Sequence, residues 1–196
     1  MSDWSEYYAA GLELDSYIRN LYGQREFLAE IVATNSQKIL EVGAGTGAMS
    51  IFLSQLGLDV TTLDNDPAVL KGAEKARQEF GGHNQIVAGD AFKLPFPDNS
   101  FDLIFHQGLL EHFTNVQIQQ LLDEQLRVAP LVILSVPNAN YPRRDFGNER
   151  LLRKKDWENV LRPYQVKMNR DYALKIFPKW YLVRVPIQYM AKIGRT

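Results

Sequence analysis

Three closely spaced glycines follow a short apolar run, in the stretch Glu-Val-Gly-Ala-Gly-Thr-Gly of residues 41–47. A helical pattern begins directly after the last of them. Glycine reaches left-handed backbone conformations and lets backbone N–H groups approach a ligand, while a helix N-terminus favours negative charge. The stretch therefore predicts a site for a nucleotide-type cofactor. The residues expected to line it are Glu41, Gly43, Ala44, Gly45 and Gly47.

A carboxylate at the end of the next apolar run fits the same kind of cofactor. Asp64 lies 17 residues beyond Gly47, where a carboxylate can accept hydrogen bonds from both hydroxyls of a ribose. Gly43, Gly45 and Ala48 also satisfy the alanine-ended form of the dinucleotide fingerprint. On these residues alone, a nicotinamide dinucleotide and an amino-acid-bearing nucleoside are close alternatives.

Two acidic residues near the loop favour the second alternative. Glu41 stands two residues before the first glycine, where it suits an ammonium group and is unhelpful beside a pyrophosphate. Asp90 follows the third predicted strand, where it can accept a hydrogen bond from an adenine amino group. The dinucleotide fingerprint requires neither residue.

Taken in order, these segments resemble a known family. Residues 39–47, 62–67 and 89–102 closely resemble the successive motifs of class I S-adenosylmethionine-dependent methyltransferases. The resemblance implies an α/β fold of the Rossmann-like, doubly wound type, with a seven-stranded, mostly parallel sheet that ends in an antiparallel C-terminal strand pair. It also implies S-adenosylmethionine as the cofactor and methyl transfer as the activity.

The resemblance assigns roles to single residues. Glu41 and the glycine loop would surround the methionine part of the cofactor, and Asp64 would bind the ribose. Asn65 would lie against the adenine, with Asp90 and the backbone of Ala91 at the adenine edge. For Asp90 taken alone, a carboxylate that stabilises a turn or caps a helix is the alternative interpretation.

Methyl transfer is an in-line displacement, so the protein mainly positions the acceptor and, for some acceptors, removes a proton. By the resemblance, His106 at the end of the fourth predicted strand would flank the sulfonium. His106, His112 in the following loop and Tyr141 are the candidate catalytic residues, because ligands bind beyond the carboxyl ends of such strands. His83 follows two glycines and is expected in a surface turn.

Some members of the family hold a divalent metal with a Glu-x-x-Glu-His pattern, which Glu111 and His112 match only in part. Gly108 stands at the first glutamate position, and residues 137–141 contain no histidine to complete the set. We therefore expect no metal. As alternatives to a functional role, Glu111 would be an acid that stabilises a helix or loop, and His112 would be a partly buried ring that is hydrogen-bonded to the backbone.

Four further side chains are weaker candidates. Arg143 and Arg144 can bind a carboxylate or phosphate in a bidentate manner, although adjacent arginines in a polar loop are more often exposed to solvent. Tyr7 and Tyr8 can close over the cofactor, although ordinary packing is the common role of such aromatics.

The elements that must position these residues are short apolar runs alternating with amphipathic segments, which is typical of parallel strands joined by helices. Asp66 and Pro67 form a helix start, and Thr114 caps a second helix that ends before Pro130. One or two helices precede residue 38, with a break at Gly23, and a short helix is predicted at 156–161. The predicted strands are 38–42, 59–63, 85–88, 101–106, 131–136, 165–174 and 180–193, with Pro178 dividing the last two.

The bulk composition indicates one domain of 196 residues. We divide it into leading helices at 1–37, a cofactor-binding core at 38–138, and a substrate-side loop with the terminal strand pair at 139–196. The chain has no cysteine, no apolar run long enough for a membrane span and no signal-peptide pattern, so a cytoplasmic protein is expected.

The charge is unevenly distributed. The net charge is -1, but residues 141–196 hold 14 Lys and Arg against 5 Asp and Glu. Either the two surfaces complement each other, or the basic segment faces an anionic substrate. We therefore predict methyl transfer to O or N of a small molecule, anionic in the second case. RNA or a protein as acceptor, and a non-catalytic cofactor-binding partner of the same fold, stay open, and the sequence does not indicate an oligomeric state.

Overall fold

The computed structural model describes residues 11–142, 148–178 and 182–195, with the backbone alone for 174–178 and 182–184. Its strands are β1 (Lys38–Val42), β2 (Asp59–Asp64), β3 (Gln85–Ala88), β4 (Leu103–Gln107), β5 (Leu131–Pro137), β6 (Gln165–Pro178) and β7 (Leu182–Gly194). They form a seven-stranded sheet in the order β3-β2-β1-β4-β5-β7-β6. The first five strands run parallel, whereas β7 is antiparallel to both β5 and β6. The predicted mixed sheet with an antiparallel C-terminal pair is confirmed.

Helices connect and cover these strands. They are α1 (Leu14–Gly23), α2 (Arg25–Val32), α3 (Ala48–Gln55), α4 (Pro67–Glu79), α5 (Asn115–Val128) and α6 (Lys154–Val160), with a short 3-10 turn at Leu110–His112. The Asp66 side chain accepts hydrogen bonds from the N–H groups of Ala68 and Val69, at 2.8 and 3.2 Å, and so caps α4 as predicted. Thr114 caps α5 together with Gln117.

Several predicted boundaries were wrong by a few residues, and a local hydrogen bond explains one of them. The strand β4 begins at Leu103 because the N–H of Phe101 donates to Val128 O, at 3.2 Å, and is not available to a neighbouring strand. The helix α4 ends at Glu79, two residues before Gly81, which takes a left-handed φ of 68° and turns the chain. The short helix α6 begins at Lys154, two residues before the predicted start at residue 156.

The C-terminal strands also differ from the prediction. Strand β6 continues to Pro178, which pairs with Leu182 at the start of β7. Proline is tolerated at this position because the residue at the end of a strand does not need to donate a backbone hydrogen bond to a neighbouring strand. The predicted strand start at Trp180 lies outside the described residues.

The core has two layers because strand side chains alternate between the faces of the sheet. One face of the sheet packs against α5. The other packs against α2 and α3. Glu41 follows Ile39 at a spacing of two, so it faces the second layer, and there it contacts Ser50 of α3. The first layer includes Leu40, Val42, Ile104, Leu134, Ile118, Leu121 and Leu122. The second includes Ile39, Phe105, Ile133, Phe27, Ile31 and Leu53. Within the described ranges, no helix has both the length and the apolar character that crossing a bilayer requires.

Candidate functional site

The glycine loop lies at the carboxyl end of β1. Gly43, Gly45 and Gly47 have positive φ angles of 66°, 54° and 70°. The N–H of Gly43 donates to Leu63 O at 2.9 Å, which ties the loop to the neighbouring strand. A Cβ on Gly43 would lie 2.9 Å from Leu109 Cδ1. Glycine is therefore favoured here by the backbone conformation, and a larger residue would also displace the Leu109 side chain.

Asp64, the last residue of β2, is fixed by backbone donors. Its Oδ2 accepts from Gly45 N at 3.2 Å, and its Oδ1 accepts from Asn65 N at 2.8 Å and from Asp66 N at 3.1 Å. Burial raises the pKa of Asp64 above its ordinary value, although these donors oppose the rise. The carboxylate is held against the glycine loop in one orientation, as binding a pair of vicinal hydroxyls requires.

Two cavities meet in front of the loop. Cavity I, of about 380 Å³, lies beside β1, α1 and the turn after β4; cavity II, of about 460 Å³, lies beside the ends of β2 and β3. Both are lined by Gly43, Gly108 and His112, so they form one crevice with those residues at the junction. Of the predicted cofactor residues, cavity I is lined by Glu41, Gly43 and Ala44, and cavity II by Gly43, Gly45, Asp64, Asn65, Asp90 and Ala91. Gly47 lines neither cavity and instead occupies the N-cap position just before α3.

Glu41 is a buried acid in cavity I. Its side chain is 2% exposed, and Oε2 accepts hydrogen bonds from both the N–H and the hydroxyl of Ser50. Burial raises the pKa of Glu41 to about 7, with the Ser50 hydrogen bonds opposing the rise. A cationic ligand group beside Glu41 would favour its ionised form.

Asp90 combines the two interpretations that the sequence allowed. Its Oδ1 accepts from Phe92 N at 2.9 Å, which is the turn-stabilising role. It also lines cavity II next to Ala91. The preceding Gly89 leaves no space for a side chain, because a Cβ there would lie 2.7 Å from Leu63 Cδ1.

His106 does not lie in the crevice, which corrects the role that the sequence suggested for it. It is fully buried and is absent from the lining of both cavities. By strand alternation it lies on the face covered by α5. There Gln125 is its polar neighbour, although no well-formed hydrogen bond joins the two side chains. Burial lowers the pKa of His106 to about 3. We therefore withdraw His106 as a cofactor-flanking or catalytic residue.

His112 and Glu111 lie in the 3-10 turn at the junction of the cavities. His112 lines both cavities, and its Nδ1 lies 2.7 Å from Asn148 Oδ1. Glu111 lines cavity I and is 3% exposed. The distance between Glu111 Oε1 and His112 Nε2 is 4.0 Å. Burial raises the pKa of Glu111 to about 8, and the charge of Glu149 adds to the rise. His112 thus lies at the crevice, and the buried carboxyl group of Glu111 lies beside it in cavity I.

The remaining predicted residues have different outcomes. Tyr141 lines cavity I, and its N–H donates to Asn138 O at 2.9 Å. Arg143, Arg144, Tyr7 and Tyr8 lie outside the described residues. Among the residues that the structure describes, no group of three or more His, Cys, Asp or Glu side chains has the arrangement of a metal site.

Sequence reasoning missed part of the lining of cavity I. Glu149, Gln188, Asn20 and Gln24 all contribute to it. These residues come from the segment before α6, from β7 and from the α1–α2 region, far from the recognised motifs. No spacing pattern links them to the glycine loop, so only the folded chain could show them together.

Comparison with known proteins agrees with this arrangement. A family model described as a methyltransferase domain matches residues 39–130. A demethylmenaquinone methyltransferase of Tropheryma whipplei (strain Twist) is 32% identical over 130 residues, which are 66% of this chain and 53% of that protein. The chain belongs to the class I S-adenosylmethionine-dependent methyltransferase family. It spans about half the length of the curated relatives it matches.

A second curated relative and two solved structures are also similar to this chain. The chloroplastic 2-methyl-6-phytyl-1,4-hydroquinone methyltransferase 1 of rice is 33% identical over 154 residues, covering 74% of this chain and 44% of that one. Among solved structures, the PH0226 protein of Pyrococcus horikoshii has a TM-score of 0.76 at 16% identity, covering 97% of this chain and 99% of that one. The magnesium protoporphyrin IX methyltransferase of Synechocystis, solved with bound SAH, has a TM-score of 0.67 at 17% identity, covering 98% and 93%. At such identities the solved structures establish the fold.

Proposed function

We propose that this chain transfers the methyl group of S-adenosylmethionine to a small molecule. The observation that carries the proposal is the continuous crevice with Asp64 in one half and Glu41 in the other. A nucleoside that bears an amino acid needs a hydroxyl-binding carboxylate and an ammonium-binding carboxylate at its two ends. The relatives named as methyltransferases support the same cofactor.

The residues present fit this cofactor. Asp64 would bind the ribose hydroxyls, because three backbone N–H groups already hold its carboxylate in place. Asn65, Asp90 and the backbone of Ala91 would lie at the adenine. Glu41 would bind the ammonium group. A nicotinamide dinucleotide would also satisfy Asp64 but would leave the buried Glu41 without a cationic partner.

The chain's own residues can support the transfer at the junction of the cavities. When bound, S-adenosylmethionine supplies a methyl carbon activated by a sulfonium. The nucleophilic atom of the acceptor forms a bond to that carbon while the carbon–sulfur bond breaks, and the electron pair stays on sulfur. Gly43 and Gly108 leave the junction open, and His112 beside them would take up the proton that an O–H or N–H acceptor releases. Tyr141, which lines cavity I, would orient the acceptor.

For the acceptor atom, we propose O or N, as the residues suggested, and add a ring carbon as a second candidate. The relatives' names specify demethylmenaquinone and a 1,4-hydroquinone as their substrates, and these names support a small aromatic acceptor. The described lining of cavity I contains Glu41, Glu111 and Glu149 but no lysine or arginine. That composition favours an uncharged acceptor over the anionic one suggested by the basic C-terminal segment.

Calorimetry with S-adenosylhomocysteine and with NAD tests the cofactor, and S-adenosylhomocysteine production tests turnover. The acceptor panel contains a catechol, a 1,4-hydroquinone, a primary amine, a carboxylic acid and transfer RNA. We expect binding of S-adenosylhomocysteine alone and turnover with a small molecule. Binding of NAD alone would refute the proposal. Turnover with RNA only would assign the chain to nucleic-acid methylation, and cofactor binding without any turnover would support a non-catalytic partner.

A further inference from the structure

Cavity I contains buried polar oxygens that have no hydrogen-bond partner. They are Asn20 Oδ1, Glu111 Oε2 and Gln188 Oε1. All three residues line this cavity, although they come from α1, the turn after β4 and β7. Buried polar oxygens are almost always paired in folded proteins, so three such atoms in one cavity indicate groups that a ligand supplies.

Glu111 is the most informative of the three. An amide can exchange its oxygen and nitrogen by a flip, but both polar atoms of a carboxyl group are oxygens. The carbonyl of Glu111 accepts from Arg150 N at 2.9 Å, which holds the turn in place. A Cβ on Gly108 would lie 3.5 Å from Glu111 Oε1, so the carboxyl group lies beside this glycine, where the two cavities meet.

The charges around Glu111 add to this pattern. The guanidinium of Arg150 bonds to Phe113 O and to Asn115 Oδ1, so it serves the turn and not the carboxyl group. Glu149, which also lines cavity I, adds a negative charge that acts on Glu111, and the imidazole of His112 lies 4.0 Å from Glu111 Oε1. Among the described lining residues, therefore, the wall around Glu111 attracts donors and repels anions.

We infer that cavity I recognises a methyl acceptor that carries at least two hydrogen-bond donors and no negative charge, and that Glu111 is the residue that selects it. This inference rests on the proposed methyltransferase function. It replaces the anionic acceptor with one whose hydroxyl or amine hydrogens reach Glu111, Gln188 and Asn20. A site that depends on donors to buried oxygens rejects analogues that lack them, since the oxygens would stay unpaired.

Three probes with one ring separate these requirements. Hydroquinone carries two donors, 1,4-dimethoxybenzene carries none, and 4-hydroxybenzoate carries one donor and a negative charge. Their dissociation constants are measured by ligand-observed NMR on protein saturated with S-adenosylhomocysteine, at pH 7.0 and 8.5. We expect hydroquinone to bind at least about tenfold more tightly than either other probe. The preference over 4-hydroxybenzoate should increase at pH 8.5, because Glu111 is then ionised more fully.

The variants identify the residue responsible. Glu111→Gln should weaken hydroquinone binding about tenfold and remove the increase at pH 8.5, whereas Glu111→Asp should restore part of both. Glu158→Gln removes an exposed carboxylate on α6 and serves as the matched control, with no change expected. Equal affinity for 4-hydroxybenzoate and hydroquinone would overturn the inference, as would no hydroquinone binding at all or an unchanged pH dependence in Glu111→Gln. Failure to bind S-adenosylhomocysteine at the outset would instead refute the proposed function.

Discussion

Replacing Glu41 by glutamine tests the link between the buried acid and the cofactor. Burial raises the pKa of Glu41 to about 7, so near neutral pH the free protein holds this carboxyl partly protonated. An ammonium ligand binds the ionised form, and binding must therefore release a proton at or below this pH. The affinity for S-adenosylhomocysteine should fall as the pH drops below about 7.

The size of the effect follows from the shifted pKa. Each pH unit below the pKa costs about a factor of ten in affinity, so at pH 5.5 the dissociation constant should be about 30-fold higher than at pH 8. Glu41→Gln removes a charge-assisted hydrogen bond worth about 1.5–3 kcal/mol. Its dissociation constant at pH 8 should rise about 10- to 150-fold and should not change further down to pH 5.5.

Isothermal calorimetry at several pH values, repeated in buffers of different ionisation enthalpy, measures both the affinity and the released proton. Asp59→Asn is the matched control, because Asp59 is an exposed carboxylate at the other end of β2. Ser50→Ala removes the hydroxyl hydrogen bond that lowers the pKa of Glu41 and keeps the one from the backbone N–H, so it should move the loss of affinity to higher pH. A wild-type affinity that is constant from pH 5.5 to 8, or a pH dependence that persists in Glu41→Gln, would refute this account.

Three further substitutions test other parts of the crevice. Asp64→Ala should raise the dissociation constant of S-adenosylhomocysteine at least about 100-fold, since two charge-assisted hydrogen bonds of about 1.5–3 kcal/mol each are lost; an unchanged value in calorimetry would exclude Asp64 from the site. Gly43→Ala should weaken binding and lower the free energy of unfolding by about 1–2 kcal/mol, since a left-handed backbone is costly for alanine and its Cβ would meet Leu109. Gly57→Ala is the control, with a φ of 87° and open space around a Cβ, so it should lower stability without changing binding. Glu111→Gln should make urea unfolding less sensitive to pH. The wild-type acid has a pKa of about 8 when folded and about 4.3 when unfolded, so its contribution to stability is full below about pH 4.3 and declines as the pH rises to 8. Parallel pH profiles for the two proteins would contradict this.

The central strands and the helix starts could be predicted from the sequence because their signals are local. The bounds of β1 and β3 were predicted without error, since short segments rich in apolar and β-branched residues are followed directly by glycine there. Asp66 and Pro67 identified the start of α4 because a cap followed by proline acts within one turn of the chain. The lining of cavity II could also be predicted from local signals, because the glycine loop, Asp64 and Asp90 each lie at the carboxyl end of a strand.

His106 and the wall of cavity I could not be predicted in the same way. Which face of the sheet a strand residue occupies depends on the register of that strand with its neighbours, and His106 pairs with Leu134 of β5 on the face covered by α5. Gln188 reaches the crevice because it pairs with Pro137 in the antiparallel register of β7 with β5. Such registers depend on tertiary contacts and leave no periodic signal near the functional motif.

The burial of Glu111 costs the protein stability at neutral pH, and this cost supports a role in binding. A carboxyl group with a folded pKa of about 8 must give up ionisation on folding, which opposes folding by about 1.4 kcal/mol for each pH unit above the unfolded pKa. A glutamine or an apolar residue at this position would avoid the cost. Glu111 Oε2 accepts no hydrogen bond from the described residues, so this oxygen does not offset the cost of burying the carboxyl group. Proteins tolerate such destabilising groups where a ligand makes use of them, and the ligand that would do so here is the donor-bearing acceptor inferred above.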